Sequence, residues 1–414
     1  MILLLLLASL IFFPSLSSAD NSALSGYFEA GRKSQSEDFE EEEEDREYTY
    51  HNYHLRFRNE PSGRASYELS LFIYDKDYKS EDRLDNTSKI FDTRGSYYIN
   101  KIKNEYLRLD MKLKYREKRY RESPSSEYDQ IMFSPGIIYN RKDYYSINFS
   151  AGINNYDYLF SENNDQLKFF SKIGAKEYFL ERKLQVVTSY KIETATHRRV
   201  DKRRNKNDFM LGADYVFDST LIYKASAGMQ AGQRDTKDDD ERDEDFDYKY
   251  RQFKAETEHK IAEKVKTDIS YQYFRKDYLS AEFDHSGFYI GNVWRCKIID
   301  DEMQKLSLSF TAAHKDVDYV LKSGSGYKKE TVGIESVYAR KKNWEAVVSV
   351  QGNFYKYDDS SRDKNRYYTV LSLEKHFPEK AISISTKVKY KYTDNKYANN
   401  TREESARLAF EYKF

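Results

Sequence analysis

Residues 107 to 116 read Leu107-Arg108-Leu109-Asp110-Met111-Lys112-Leu113-Lys114-Tyr115-Arg116, apolar and charged side chains in strict turn. A period of two is the geometry of a strand, because successive side chains point to opposite faces, whereas no helical face gathers these five apolar residues. The pattern recurs at Ile147, Phe149, Ala151 and Ile153, at Val265, Thr267, Ile269, Tyr271 and Tyr273, and at Leu306, Leu308, Phe310 and Ala312. It returns at Ile382, Ile384, Thr386, Val388 and Tyr390, with Ser383, Ser385, Lys387 and Lys389 between them.

The gaps between these segments alternate in length. Tight connections fall at Asn59–Arg64, Asn140–Asp143, Leu180–Lys183, Asp218–Thr220, Lys341–Asn343 and Pro378–Lys380. Longer, highly charged loops fall at Glu37–Asp45, Glu81–Ser88, Lys118–Glu127, Arg198–Asn207, Arg234–Asp247, Asp358–Lys364 and Thr393–Glu403. Counting through them gives about 20 strands of roughly 10 to 14 residues, long enough to cross a bilayer at a tilt. Poor alternation at Lys89–Lys101 and the short segment Tyr27–Lys33 leave 16 or 18 strands open. Pro135 lies inside an apparent strand, where it deletes a ladder hydrogen bond and implies a bulge or a strand end.

Composition separates the possible classes. Charged residues make up 33% of the chain and mean hydropathy is −0.90, and past the first residues no apolar run reaches the ~20 residues of a membrane helix. Disorder is equally ill-suited, since 39 Tyr and 25 Phe exceed what a solvated polar tract carries. High polarity with many aromatics suits a sheet that meets lipid on one face and water on the other. A soluble sandwich or propeller also alternates, but strand length favours the membrane form. The single Cys296 permits no disulfide framework and reads as a lipid-facing or turn-adjacent thiol.

Both ends agree with this reading. Met1–Ala19 holds the apolar run Ile2–Leu7, continues through Leu10–Phe13 and ends on Ser17, Ser18 and Ala19, which is the pattern of a secretory signal peptide cut after Ala19, although no Lys or Arg follows Met1. The last residues, Ala406 to Phe414 (ARLAFEYKF), alternate toward a terminal Phe. This ending resembles the C-terminal signature of outer-membrane β-barrel proteins. The resemblance implies a bacterial outer-membrane location, a transmembrane antiparallel up-and-down β-barrel over residues 20–414, contact with outer-membrane lipid and lipopolysaccharide, and delivery to the barrel-assembly machinery through the strand ending at Phe414.

If the apolar faces meet lipid, the opposite faces line the lumen. Parity places Arg56, Arg58, Arg108, Lys112, Lys114, Arg116, Lys191, Lys224, Lys254, Lys266, Lys305, Lys387, Lys389, Lys391 and Arg407 inward. Inward acids are fewer: Glu68, Asp110, Glu193, Glu256, Glu258, Asp268 and Glu411. The acidic residues concentrate in loops, at Glu40–Asp45 and Asp238–Asp245, so a formal net charge of zero conceals a separation in space. A basic interior walled by low-dielectric material favours anions, unless neighbouring Glu and Asp simply neutralise it.

A closed sheet of about 20 strands has a diameter of roughly 40 Å, too wide for side chains to fill. Too few residues precede the first strand to build a plug, and no loop is long enough to fold in as a constriction. The architecture resembles diffusion porins and exopolysaccharide-export barrels such as the alginate exporter. A channel for polar, preferably anionic solutes is therefore expected, with a polysaccharide exporter served by periplasmic partners as the alternative. Inward Tyr74, Tyr106 and Tyr355 are either stacking surfaces for sugars or wall filler. His51 and His54 sit on opposite faces of a strand, and the other five histidines are dispersed, so no metal site, cofactor or catalytic set is expected. No glycine-rich phosphate loop or basic patch indicates nucleic acid.

Overall fold

The computed structural model describes residues 22–38, 43–59, 64–78, 85–102, 104–161, 164–197, 202–217, 222–237, 247–321, 325–340, 343–377, 382–396, 398 and 400–413. The signal segment Met1–Ala19, Phe414, the connections at Asp218–Thr220 and Pro378–Lys380 and the acidic run Asp238–Asp245 lie outside these residues.

The described residues form 20 strands. They are β1 Ser22–Asp38, β2 Glu43–Asn59, β3 Ala65–Tyr78, β4 Asn86–Ile102 and β5 Glu105–Tyr120. Next come β6 Tyr128–Arg141, β7 Tyr145–Tyr158, β8 Gln166–Phe179, β9 Leu184–His197 and β10 Arg203–Val216. β11 Ile222–Lys237, β12 Tyr248–Ala262, β13 Val265–Tyr278, β14 His285–Asp300 and β15 Gln304–Tyr319 follow. The last are β16 Tyr327–Arg340, β17 Trp344–Tyr357, β18 Lys364–Phe377, β19 Ile382–Asn395 and β20 Thr401–Lys413. Each strand pairs antiparallel with the next, and β20 returns to pair with β1, so the sheet closes without an edge.

Register then assigns every side chain to a face. Leu371 stands opposite Val348 and Val388, Val388 opposite Ala406, and Leu408 opposite Ala30. This row of large apolar residues is strongly exposed, with Leu371 at 53% and Leu408 at 52%. On the other face, packed residues such as Asn353 and Val317 retain only 2%. Side chains splay on a convex surface and converge on a concave one, so the apolar row is the outside of the barrel. On β5 it runs from Leu107 to Tyr115, a belt of about 20–25 Å once strand tilt is allowed for. Tyr139 against Tyr145 and Tyr367 against Tyr392 belong to the aromatic margins of this belt. Cys296 also faces outward, opposite Val265 and Leu308.

The two rims differ. Connections at the end shared by the chain's first and last strands span two to five residues, and those at the far end four to ten. All four register shifts, at Tyr98/Asn100, Ile222/Lys224, Lys260/Ala262 and Lys297/Ile299, cluster at the short-turn end. At the far rim one device repeats. The last backbone N–H of a strand donates to an acid that precedes the next strand: Tyr78 to Asp85 Oδ1 at 2.6 Å, Tyr158 to Asp165 at 2.7 Å, Tyr278 to Asp284 at 2.5 Å and Tyr357 to Asp363 at 2.8 Å. The carbonyls of Asp85, Asp284 and Asp363 in turn accept from Arg121, Val320 and Lys396 of the next loop, which interlocks the rim.

Two sequence expectations need correction, and one weak segment is resolved. Lys89–Lys101 belongs to strand β4, although its outward positions Thr87, Lys89, Thr93 and Gly95 and the shift at Tyr98/Asn100 hide the alternation. Several charged stretches read as loops are strand ends: β1 reaches Asp38, β10 begins at Arg203 and β11 reaches Lys237. Above the belt the outer face meets water, so ion pairs such as Arg119–Asp129 at 2.6 Å and Arg275–Asp277 at 2.6 Å replace apolar residues without ending the sheet. Pro135 causes neither bulge nor strand end. Pairing of β6 with β7 lapses at Ser134 and Pro135 and resumes at Gly136↔Ser150 in unchanged register, because flanking ladders hold the strand in place.

Candidate functional site

The register puts all eleven candidate basic residues on the concave face. Arg56 and Arg58 alternate with Leu55 and Phe57 on β2; Arg108, Lys112, Lys114 and Arg116 alternate with the β5 belt residues. Lys191 lies between Tyr190 and Ile192 on β9, Lys254 beside Phe253 on β12, Lys387 and Lys389 around Val388 on β19, and Arg407 beside Leu408 on β20. They do not converge on one point. β5 forms one group, the seam between β19 and β2 forms another, and Lys191 and Lys254 stand apart.

Many are held by carboxylates. Arg56 pairs with Glu68 at 2.5 Å, Arg108 with Asp110 at 2.8 Å, Lys112 with Asp92 at 3.6 Å, Lys191 with Glu193 at 2.8 Å, Lys254 with Glu256 at 2.7 Å and Arg407 with Glu29 at 2.9 Å. Arg116 donates instead to Ser88 Oγ at 3.0 Å. Among the described residues, Lys114, Lys387 and Lys389 have no carboxylate within 4 Å. Like charges also face each other across strands: Lys172↔Lys191, Lys266↔Arg295 and Lys387↔Arg407. Directly opposed like charges destabilise a dry sheet; here Lys191, Lys266, Arg295 and Arg407 each hold a carboxylate, from Glu193, Glu258, Asp268 and Glu29 in turn.

Sequence parity missed members of both signs. Arg94 and Asp92 were hidden in β4, and Asp208, Asp214 and Glu29 also lie inward, on β10 and β1. Pairing each obscure strand with its neighbour would have found them. Around the far rim the same face carries opposed tyrosines, Tyr48↔Tyr78, Tyr128↔Tyr158, Tyr248↔Tyr278 and Tyr327↔Tyr357. Lys76 lies 3.9 Å over the Tyr48 ring and Lys276 3.8 Å over Tyr248, which are cation–π distances. Tyr74, Tyr106 and Tyr355 share this face.

Between β4 and β7 the inner wall is indented by a cavity of about 550 Å³, bordered by Arg94, Arg108 and Lys112 and floored by Ser134, Gly136 and Ser150. His51 and His54 fall on opposite faces. No group of three metal-ligating side chains occurs among the described residues. Every element among them is a wall strand or a three-residue turn helix between strands, so none forms a plug.

No protein-family model matches the chain, and no curated protein matches it. Among solved structures it is similar to the copper transporter OprC, with 9% identity over 95% of this chain and 80% of that one and a TM-score of 0.60. It is also similar to the ferric enterobactin receptor PfeA, with 7% identity, coverage of 94% and 81%, and a TM-score of 0.50. A further likeness, to OccK7 (OpdD) of Pseudomonas aeruginosa, has 9% identity, coverage of 95% and 99%, and a TM-score of 0.45. At these identities the likeness is one of fold. Closure, the apolar belt and the polar interior together make the chain an outer-membrane β-barrel with the architecture of a channel.

Proposed function

We propose that the lumen conducts small polar solutes and prefers anions. The observation that carries this reading is the surplus of inward cations over the carboxylates that hold them: among the described residues Lys114, Lys387 and Lys389 have no carboxylate within 4 Å, and Lys387 stands beside Arg407. A wall built only to neutralise itself would set an acid beside each of these lysines; a cationic surplus in a low-dielectric tube raises the local concentration of anions instead. The role is transport and not catalysis. Insertion through the assembly machinery by the strand ending at Phe414, and an outer rim set among lipopolysaccharide, belong to the same reading.

Planar-bilayer recording of the full-length protein under a salt gradient tests it. A reversal potential displaced toward the anion equilibrium is expected. Cation selectivity, or no conductance, overturns the proposal.

A second reading, export of an acidic polysaccharide with periplasmic partners, draws on the opposed tyrosines and their lysines at the far rim, since aromatic faces beside cations suit acidic sugars. A gene neighbourhood rich in glycosyltransferases would favour it over simple diffusion.

A further inference from the structure

The inner wall is not uniform around its circumference. β5 sends Arg108, Lys112, Lys114, Arg116 and Lys118 inward, with Asp110 the one interruption, so the positions repeat about every 6.8 Å along the strand. Beside Asp110 and Lys112 the inward positions of β6 and β7 are short, Ser134 and Gly136 on one and Asn148 and Ser150 on the other, with Met132 and Ile138 at either end of the gap. The wall is therefore hollowed next to its densest row of cations, which is where the 550 Å³ cavity lies.

Charge in the hollow is out of balance. Arg94, Arg108 and Lys112 share two carboxylates, Asp92 and Asp110, through contacts of 3.0, 2.8 and 3.6 Å. Lys114, one step along the ladder, has no carboxylate within 4 Å among the described residues. Serine hydroxyls on the floor add neutral hydrogen-bonding groups. β19 carries a comparable row, Lys387, Lys389 and Lys391, opposite Ser372, Val370 and Tyr368 of β18, with one short inward neighbour where β5 has two in succession.

We infer that the β5 ladder and the adjoining hollow form a binding track for a multivalent organic anion, seated on Arg94, Arg108, Lys112 and Lys114 and handed along the strand from cation to cation. This rests on the reading of the lumen as an anion path and adds where the anion binds. Carboxylate and phosphate share the required chemistry.

Titration calorimetry on the detergent-solubilised full-length protein, with potassium citrate and separately potassium pyrophosphate, tests the track. Saturable binding of at least one is expected, and which one identifies the anionic group. Replacing Lys112→Gln and Lys114→Gln together should weaken binding by roughly two- to fivefold per cation, as for part-exposed charge pairs. Ser150→Trp fills the floor without changing charge and should abolish binding. Lys387→Gln with Lys389→Gln removes the same charge from β19; it should lower anion selectivity while shifting citrate affinity less than twofold. Heat-modifiable migration on gels verifies that each variant is folded. No saturable binding, or equal affinity losses for the β5 and β19 pairs, overturns the track. The reversal potential of the unmodified channel is read separately, so failure of the track leaves anion selectivity standing, and loss of selectivity is recognised as failure of the wider reading.

Discussion

Arg407 of the last strand places its Nε 2.9 Å from Glu29 Oε2 of the first, so an ion pair bridges the seam where the barrel closes. Glu29 retains only 7% exposure, and Asn52 Nδ2 also donates to it at 3.4 Å. Arg407 is far more accessible to lumen water. The two halves of the pair should therefore not be equivalent. Arg407→Met removes the ionic partner of a buried carboxylate and should cost about 1–3 kcal/mol. Glu29→Gln leaves a guanidinium that water reaches and should cost less than about 1 kcal/mol. Midpoints of heat-induced unfolding followed by gel migration give the comparison; equal losses would overturn the asymmetry, and no loss in either variant would mean that backbone pairing alone holds the seam.

The acids of the far rim make a second prediction. Asp284 Oδ1 accepts from the Tyr278 N–H at 2.5 Å, while its carbonyl accepts from Val320 at 3.0 Å, so one residue closes its own loop and fastens the next. Asp284→Ala removes the side-chain acceptor and should cost about 1 kcal/mol locally. Hydrogen exchange over residues 278–285 should accelerate, with little change at the short-turn end. Asp284→Asn keeps an acceptor oxygen and should restore most of the protection.

Asp359, in the loop between β17 and β18, accepts from both the backbone N–H (3.0 Å) and the hydroxyl (2.7 Å) of Ser361. These bonds favour the ionised carboxylate and hold its pKa below the usual aspartate range. A lowered native pKa stabilises the loop above the unfolded value of about 3.9, and that contribution is lost as pH falls through the depressed one. The Ser361 amide nitrogen shift should therefore stay constant from neutral pH to about 4 and change below it. Asp359→Asn should abolish the step.

Strand type and lumen parity were legible wherever a long run of outward residues is apolar, as from Leu107 to Tyr115 on β5. There the membrane itself dictates the pattern at short range. β4 lacks that signature: its outward face includes Thr87, Lys89, Thr93 and Gly95, and its parity follows from pairing with β3 and β5, which single-strand periodicity does not report. The same limit hid Asp92 and Arg94. Strand ends beyond the belt read as loops because hydropathy marks the membrane boundary, whereas the hydrogen-bonded ladder continues into water. The Glu29–Arg407 pair joins opposite ends of the chain and emerges only on closure. Which cations keep a carboxylate partner depends on diagonal neighbours, and so needed the full register.

The assignment of faces itself is open to a direct test through two adjacent residues. Leu371 lies on the outward row between Val348 and Val388, and Ser372 points inward opposite Lys387. Arginine at a lipid-facing position near the bilayer midplane costs about 2–4 kcal/mol, because its charge must leave water or drag water in. Leu371→Arg should thus lower the unfolding midpoint in urea markedly in lipid vesicles. Ser372→Arg places the same side chain in an aqueous lumen and should change stability by no more than about 0.5 kcal/mol, while shifting the reversal potential further toward anions. Tolerance of the first substitution together with destabilisation by the second would mean that the faces are reversed, and the cations would then lie on the outside of the barrel.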